Sequence, residues 1–125
     1  MPPNTGAVIV VEDDDAVRNA LKFALELEGL TVRAYQGGPE MLADADLPKS
    51  GCIVVDYHMP AMNGVELVDQ LRLREIDIPA ILITGKATDD MRRSARRAGF
   101  LNVLEKPLDD GSLLDGIRGA LAPQA

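Results

Sequence analysis

The sequence has little that would support a disulfide, a zinc centre or a membrane anchor. Its single cysteine, Cys52, has no internal partner and lies in an apolar run, which predicts a buried and unreactive thiol. With only one histidine, His58, the chain lacks the His/Cys cluster that zinc prefers. No apolar stretch approaches the roughly 20 residues that span a bilayer, and residues 1–6 do not resemble a signal peptide. The sequence therefore predicts a soluble, cytoplasmic protein.

Positive charge is also scarce. The net charge of −7 and the pI near 4.6 argue against a chain that wraps nucleic acid. Four arginines do cluster on one predicted helix, but no aromatic residue is interleaved with them, so we interpret them as a solvated face or a partner-docking surface. They are Arg92, Arg93, Arg96 and Arg97. A length of 125 residues predicts one domain, residues 1–125, with a core of about 7–121.

Apolar runs alternate with helical patterns along the whole chain. The run at residues 7–11 is apolar on both faces, which is typical of a central strand in a parallel sheet, whereas residues 30–35 alternate in polarity and suit an edge strand. This alternation predicts a parallel sheet with right-handed crossovers and helices on both faces. The predicted strands are 7–11, 30–35, 52–55, 79–83 and 101–104. The predicted helices end at Gly29, before Pro48, after Leu71 and at Gly99, and the last begins at about Asp110 with Leu113, Leu114, Ile117 and Leu121 facing inward.

Polar residues follow four of the predicted strands where each strand ends. They are Glu12-Asp13, Asp56, Thr84 and Lys106. The carboxyl ends of parallel strands share one edge of the sheet, which is where ligands bind in open α/β folds. Carboxylates about 5 Å apart repel by about 3 kcal/mol at an effective dielectric of about 20, so a cation is required. An all-oxygen donor set suits Mg²⁺.

Asp56 is the residue to which we assign the chemistry of this edge. Pro60 prevents its strand from continuing, and Asn63-Gly64-Val65-Glu66 has the spacing of a helix N-cap with a reciprocal acid. A carboxylate that is neutralised by a metal and by Lys106 can attack phosphorus and form an aspartyl phosphate. The Thr84 hydroxyl and the Lys106 ammonium are suitable donors to the phosphoryl oxygens. Asp14 and Asp15 are interpreted as helix caps rather than metal ligands.

Four motifs in sequence carry a resemblance to a known family. They are Val10–Arg18, Asp56–Leu67, Ile83–Gly85 and Glu105–Pro107. In this order, and over residues 7–121, the chain resembles the receiver domain of two-component response regulators, and within that family the FixJ-like group. The resemblance implies a flavodoxin-like, doubly wound, five-stranded parallel sheet of order 2-1-3-4-5 with five helices. It also implies a cis peptide bond between Lys106 and Pro107.

The same resemblance implies a function. Asp56 would accept a phosphoryl group from a sensor histidine kinase or a phosphotransfer protein, and phosphorylation would control a downstream output such as transcription. Two copies could dimerise on phosphorylation, and the protein would be a phosphoacceptor rather than an enzyme. The phosphate-contacting residues would be Thr84 and Lys106. Mg²⁺ would lie on Asp13, Asp56, the backbone carbonyl of His58 and, directly or through water, Glu12.

Two departures from the family pattern affect the expected mechanism. Glu12 stands where the family more often has aspartate, which keeps the charge and should preserve metal binding. Val103 stands where many receivers carry a switching aromatic ring, so we predict that the output signal runs through Thr84 and residues 85–98. His58 and Lys86 border the site, and we hypothesise that they set the lifetime of the phosphoryl group.

Three alternatives remain open at this stage. A stand-alone receiver could act as a phosphorelay intermediate without an output domain. A Mg²⁺-dependent phosphohydrolase would use the same nucleophile, but it would want a second acid nearby, which Tyr57-His58-Met59 does not supply. A flavodoxin-type nucleotide binder would want a glycine-rich phosphate loop, which no strand-to-helix connection provides.

Overall fold

A computed structural model describes residues 7–48, 50–108 and 111–121, and in these residues strands and helices alternate strictly. The strands are β1 (Ala7–Val11), β2 (Val32–Tyr35), β3 (Gly51–Asp56), β4 (Ala80–Thr84) and β5 (Asn102–Glu105). The helices are α1 (Asp15–Leu27), α2 (Gly38–Leu42), α3 (Gly64–Leu73), α4 (Asp89–Arg97) and α5 (Ser112–Leu121). Among the described residues, no helix is both long and apolar enough to cross a membrane.

The strands form one parallel sheet in the order β2-β1-β3-β4-β5, as predicted. Strand β3 lies at the centre, with Ile53 opposite Ile9 of β1 and opposite Ala80 of β4. Every residue of β3 is buried, including Cys52, whose thiol pKa is raised to about 12 by burial. The predicted burial of Cys52 is therefore confirmed, and its low reactivity stays a prediction.

Alternate residues of the central strands supply two apolar layers, one on each face of the sheet. Helices α2, α3 and α4 cover one face, and α1 and α5 cover the other. Each fully buried aliphatic side chain contributes about 1.5–3 kcal/mol relative to an exposed one, so these layers stabilise the sheet. The first layer includes Ile9, Ile53, Leu67, Leu71 and Leu82; the second includes Val10, Val54, Ile81, Leu113 and Ile117.

Capping residues explain where several helices begin. The Asp14 side chain accepts a hydrogen bond from the Val17 backbone nitrogen at 3.0 Å, so its predicted role as a cap is confirmed. Asn63 and Glu66 form the predicted reciprocal capping box at the start of α3, with both hydrogen bonds at 2.8 Å. Gly29 ends α1 with a φ of 87°, a conformation that glycine adopts at little cost.

Several predicted boundaries differ from the observed ones. Strand β2 begins at Val32 rather than at residue 30, because the Leu30 backbone nitrogen still donates to Leu25 of α1. Strand β5 runs one residue later than predicted and includes Glu105. Helix α2, by contrast, ends at Leu42, before Pro48 as predicted, and the loop after it is held by the Tyr35 hydroxyl, which donates to Asp44 at 2.6 Å.

Only part of the prediction for the last helix can be compared with the structure. The predicted start at Asp110 lies outside the described residues, and the observed helix begins at Ser112. Leu113, Ile117 and Leu121 are buried as predicted. Leu114, which we placed in the core, is only half-buried, because it lines a surface groove between α1 and α5 with Leu21 and Leu108.

Candidate functional site

The carboxyl edge of the sheet brings three acidic side chains together. Glu12 follows β1, Asp13 is the next residue, and Asp56 is the last residue of β3. One carboxylate oxygen from each of the three lies within 4.8 Å of the others. Glu12 and Asp56 are buried, with 3% and 8% of their surfaces exposed, whereas Asp13 faces solvent. The cluster is therefore open on one side and closed toward the sheet.

Lys106 supplies the positive charge of the cluster. Its Nζ atom lies 3.3 Å from Oδ2 of Asp56, to which it donates a hydrogen bond, and 3.6 Å from Oε1 of Glu12. Partial burial opposes its charge, but the two carboxylates outweigh this and raise the pKa of Lys106 above its usual value. The lysine is thus protonated at neutral pH. Its peptide bond to Pro107 is cis, as the resemblance implied.

Glu12 has the most strongly perturbed carboxyl group of the site. Burial raises its pKa from 4.5 to about 7, a hydrogen bond from the Asp14 backbone nitrogen at 3.2 Å opposes that rise, and the nearby Asp56 carboxylate adds to it. Attraction to Lys106 also lowers it. A divalent cation placed among these oxygens would favour the ionised form of Glu12, since an ion's own charge reverses the local pKa effect.

Thr84 is the last residue of β4, and no part of it is exposed. Its hydroxyl donates to the Lys86 carbonyl at 3.3 Å, and its own carbonyl accepts from the Lys106 backbone nitrogen at 2.8 Å. The predicted phosphate-contacting hydroxyl therefore lies on the strand beside Asp56, but it is engaged by the loop that follows β4. The loop thus competes with any ligand for this hydrogen.

His58 lies on the surface, two residues after Asp56. Its ring packs edge-on against the Tyr57 ring, with the centroids 4.9 Å apart. The role assigned to His58 concerns its backbone carbonyl, and that role stays a prediction. Lys86, the other residue that we placed at the border of the site, is also exposed.

The loop after Asp56 is held rigidly against the sheet. The Tyr57 backbone nitrogen donates to Ile83 of β4 at 2.8 Å, and the Gly64 nitrogen donates to Tyr57 at 3.0 Å. A Cβ atom on Gly64 would lie 2.7 Å from the carbonyl oxygen of Asp56, so only glycine fits there. Helix α3 consequently starts in direct contact with the backbone of Asp56.

Two residues at the site were not assigned a role from the sequence. Arg18 of α1 reaches back to donate to the Glu12 carbonyl at 2.8 Å and also pairs with Asp15, which ties the loop after β1 to the first helix. Glu105 contacts the loop after β4. Both residues lie in the motifs that carry the family resemblance, but only the folded loops show what their side chains contact.

The donor set fits Mg²⁺. Three carboxylate oxygens converge without sulfur or imidazole, which suits a hard cation that accepts one or two carboxylates and retains several waters. In an octahedron with bonds of about 2.1 Å, ligand oxygens lie about 3.0 to 4.2 Å apart, so oxygens that already lie within 4.8 Å of one another need only a small approach to surround the ion. Glu12, Asp13 and Asp56 are the residues that could hold the ion.

A doubly wound parallel sheet of order 2-1-3-4-5, with its polar groups at the carboxyl edge, defines the flavodoxin-like class of α/β domains. Residues 8–118 match the family described as response regulator receiver domain. The chain belongs to this family and is a receiver domain of two-component response regulators, as the sequence resemblance indicated. Receiver domains of response regulators interact with histidine kinases.

Individual relatives support the same assignment. The chain is 37% identical over 124 residues to the transcriptional regulatory protein FixJ of Azorhizobium caulinodans. This match covers 98% of this chain and 58% of the relative. It is 36% identical to the transcriptional regulator DctD of Pseudomonas aeruginosa over 91% of this chain and 25% of the relative. The chain thus spans a little more than half the length of the FixJ relative and a quarter of the length of DctD.

Solved structures show the same fold. The crystal structure of FixJ-N superposes with a TM-score of 0.83 at 36% identity and covers 93% of both chains. The response regulator StyR gives a TM-score of 0.84 at 35% identity, covering 92% of this chain and 58% of that one. The receiver assignment therefore rests on sequence and on structure.

Proposed function

We propose that Asp56 is the phosphoacceptor of this receiver domain and that it takes a phosphoryl group from a phosphohistidine on a partner kinase or phosphotransfer protein, with Mg²⁺ bound beside it. The observation that supports this most is the convergence of Lys106, Glu12, Asp13 and Asp56 at one edge of the sheet. In a cluster of acids alone, the carboxylates would only repel one another. Here Lys106 compensates the negative charge of Asp56, which can then act as the nucleophile.

In the proposed reaction, an Asp56 carboxylate oxygen attacks phosphorus, and the bond between phosphorus and the histidine nitrogen breaks. Lys106 stays within 3.3 Å of Asp56 and offsets the negative charge that the phosphoryl group brings. The Thr84 hydroxyl donates to a phosphoryl oxygen once it leaves the Lys86 carbonyl. Mg²⁺, when bound by Glu12, Asp13 and Asp56, would neutralise charge on the transferred oxygens.

The phosphoryl group would change what this domain binds. We propose that Thr84 and residues 85–98 carry the signal, since Val103 has no ring with which to respond. The relatives FixJ and DctD are transcriptional regulators, and we extend that output to this protein. Action as a phosphorelay intermediate is the second form of the same proposal. In either case residues 1–125 act in the cytoplasm as one receiver domain, each molecule accepts one phosphoryl group, and phosphorylated copies can dimerise.

Incubation with Mg²⁺ and acetyl phosphate, followed by intact-mass analysis, tests the proposal. Wild type should gain one phosphoryl group, and Asp56→Ala should gain none. Asp69→Ala removes an exposed acid from α3 and is the matched control, which should label like wild type. Labelling of Asp56→Ala, or no labelling of wild type, would contradict the proposal.

A phosphomonoester substrate separates the phosphoacceptor from a phosphohydrolase. The phosphoacceptor should not turn such a substrate over, and release of many phosphate ions per protein molecule would indicate the hydrolase. The kinase partner is tested separately by transfer from a phosphorylated histidine kinase domain. That transfer should require both Mg²⁺ and Asp56.

A further inference from the structure

One peptide group in the loop after β4 is held at both of its polar ends. The carbonyl of Lys86 accepts a hydrogen bond from the Thr84 hydroxyl at 3.3 Å. The N–H of Ala87, which belongs to the same peptide group, donates to Oε2 of Glu105 at 3.0 Å. Because the peptide group is planar, holding the N–H end fixes the direction of the carbonyl. Glu105 thus keeps the carbonyl directed at Thr84.

Glu105 joins this loop to two other elements. It is the last residue of β5 and lies opposite Thr84 in the parallel register. Its other carboxylate oxygen lies 3.8 Å from a guanidinium nitrogen of Arg92 on α4. The next residue is Lys106, whose backbone nitrogen donates to the Thr84 carbonyl. A single carboxylate therefore contacts the loop after Thr84 and the helix that follows it.

We infer that Glu105 is a positioning residue that acts on Thr84 through the Lys86–Ala87 peptide group. A threonine hydroxyl carries one hydrogen, so it can donate to the Lys86 carbonyl or to a phosphoryl oxygen, but not to both. Glu105 favours the first arrangement by holding the peptide group in place. This inference rests on the proposed phosphoacceptor function. It adds that Glu105 opposes the arrangement in which Thr84 donates to a phosphoryl oxygen.

The surroundings of Val103 suggest that Thr84 and α4 are connected through polar contacts rather than through an apolar side chain. Val103 lines an open surface groove of about 230 Å³ between α4 and β5, together with Arg92 and Phe100. Its half-buried aliphatic side chain has no ring to enter or leave this groove. Movement of Thr84 can instead reach α4 through the peptide group, Glu105 and Arg92.

Binding of beryllofluoride, a phosphoryl mimic, provides the test. Titration of the Mg²⁺-loaded protein, followed by calorimetry, should show up to about fivefold tighter binding for Glu105→Ala. Without Glu105 the Lys86 carbonyl is no longer held toward the Thr84 hydroxyl, which weakens the hydrogen bond that Thr84 must give up by up to about the worth of one net hydrogen bond. Glu105→Gln retains an acceptor oxygen for Ala87 and should bind like wild type. Asp90→Ala removes a carboxylate of equal charge from α4 and should also have no effect. Unchanged or weaker binding by Glu105→Ala would overturn the inference.

The Thr84→Val background separates positioning from a general effect on stability. Without a hydroxyl to release, Glu105→Ala should no longer tighten binding, and a tightening equal to that seen with Thr84 present would overturn the inference. The backbone amide resonance of Ala87 in wild type gives a second readout that needs no variant. It should shift strongly when beryllofluoride binds, and an unchanged resonance would likewise overturn the inference.

A different variant reports on the underlying function. Asp56→Asn should bind no beryllofluoride, and binding equal to wild type would reject the phosphoacceptor proposal itself, along with the inference that depends on it. If Asp56→Asn fails to bind while Glu105→Ala behaves like wild type, only the role of Glu105 is rejected.

Discussion

Glu12→Gln should remove a pH dependence of stability that the metal-free protein owes to one buried acid. Burial raises the pKa of Glu12 from 4.5 to about 7 in the folded state. Between these two values the folded protein retains a proton that the unfolded chain has released, so stability falls as the pH rises. Below about pH 4.5 both states are protonated and above about pH 7 both are ionised, so the fall is confined to this window.

The size of the effect follows from the shift. Each pKa unit corresponds to about 1.4 kcal/mol, so a rise from 4.5 to about 7 means that ionisation of Glu12 costs the folded state at most about 3–4 kcal/mol. Glutamine has nearly the same shape as a protonated glutamate and carries no charge at any pH. In the absence of metal, Glu12→Gln should therefore be more stable than wild type at about pH 8, and the two should differ little at about pH 5.

Urea unfolding in EDTA at several pH values measures this difference. Wild type should lose stability from about pH 5 to about pH 7, and Glu12→Gln should lack that fall. Asp69→Asn is the control, because Asp69 is an exposed acid of α3 and its replacement should leave the slope in place. Added Mg²⁺ should stabilise wild type more at about pH 8 than at about pH 5, since it binds ionised carboxylates. A metal-free stability that is flat or rises with pH would refute the reasoning.

Three further predictions concern the border of the site, the output path and one strained residue. We hypothesise that His58 and Lys86 control the approach of water to the phosphoryl group, so exchanging either for alanine should change the half-life of phosphorylated protein; two unchanged half-lives would end that hypothesis. Thr84→Ala should abolish the response of the α4 amide resonances to beryllofluoride, whereas Val103→Tyr should leave it intact, and equal sensitivity would contradict the proposed path. Glu75 has a φ of 62°, so Glu75→Gly should raise the free energy of unfolding by up to about 1 kcal/mol in urea titrations; a decrease would show that the glutamate side chain matters more than the backbone.

The architecture could be predicted from the sequence because its central strands have an unambiguous pattern. Residues 7–11 are apolar on both faces, and Val8 to Val11 are indeed almost completely buried in β1. Ends of elements were less predictable. Leu30 is half-buried and its apolar character suggested strand, but its backbone nitrogen completes the end of α1 instead. Whether Leu30 belongs to the end of α1 or to β2 depends on backbone hydrogen bonds, which the pattern of side chains does not encode.

At the candidate site too, some features could be predicted from the sequence and others could not. Polar residues that follow buried strands predicted which groups share the edge, and the structure places Glu12, Asp13, Asp56 and Lys106 together there, while their roles remain predictions. Burial of Glu12 could not be predicted, because it depends on how the loop after β1 folds over its carboxyl group. The contact between Glu105 and Ala87 depends in the same way on the path of the loop after β4.

The position of Asp56 on the innermost strand has a consequence for how long a signal could persist. Amide protons of β3 should exchange with deuterium only through global unfolding, because strands on both sides and helices on both faces protect them. The loops and helices around the acceptor can open far more often without exposing that strand. A phosphorylated molecule could thus change its binding surface repeatedly and keep its acyl phosphate, so that the signal would end only when the phosphoryl group is hydrolysed or passed on.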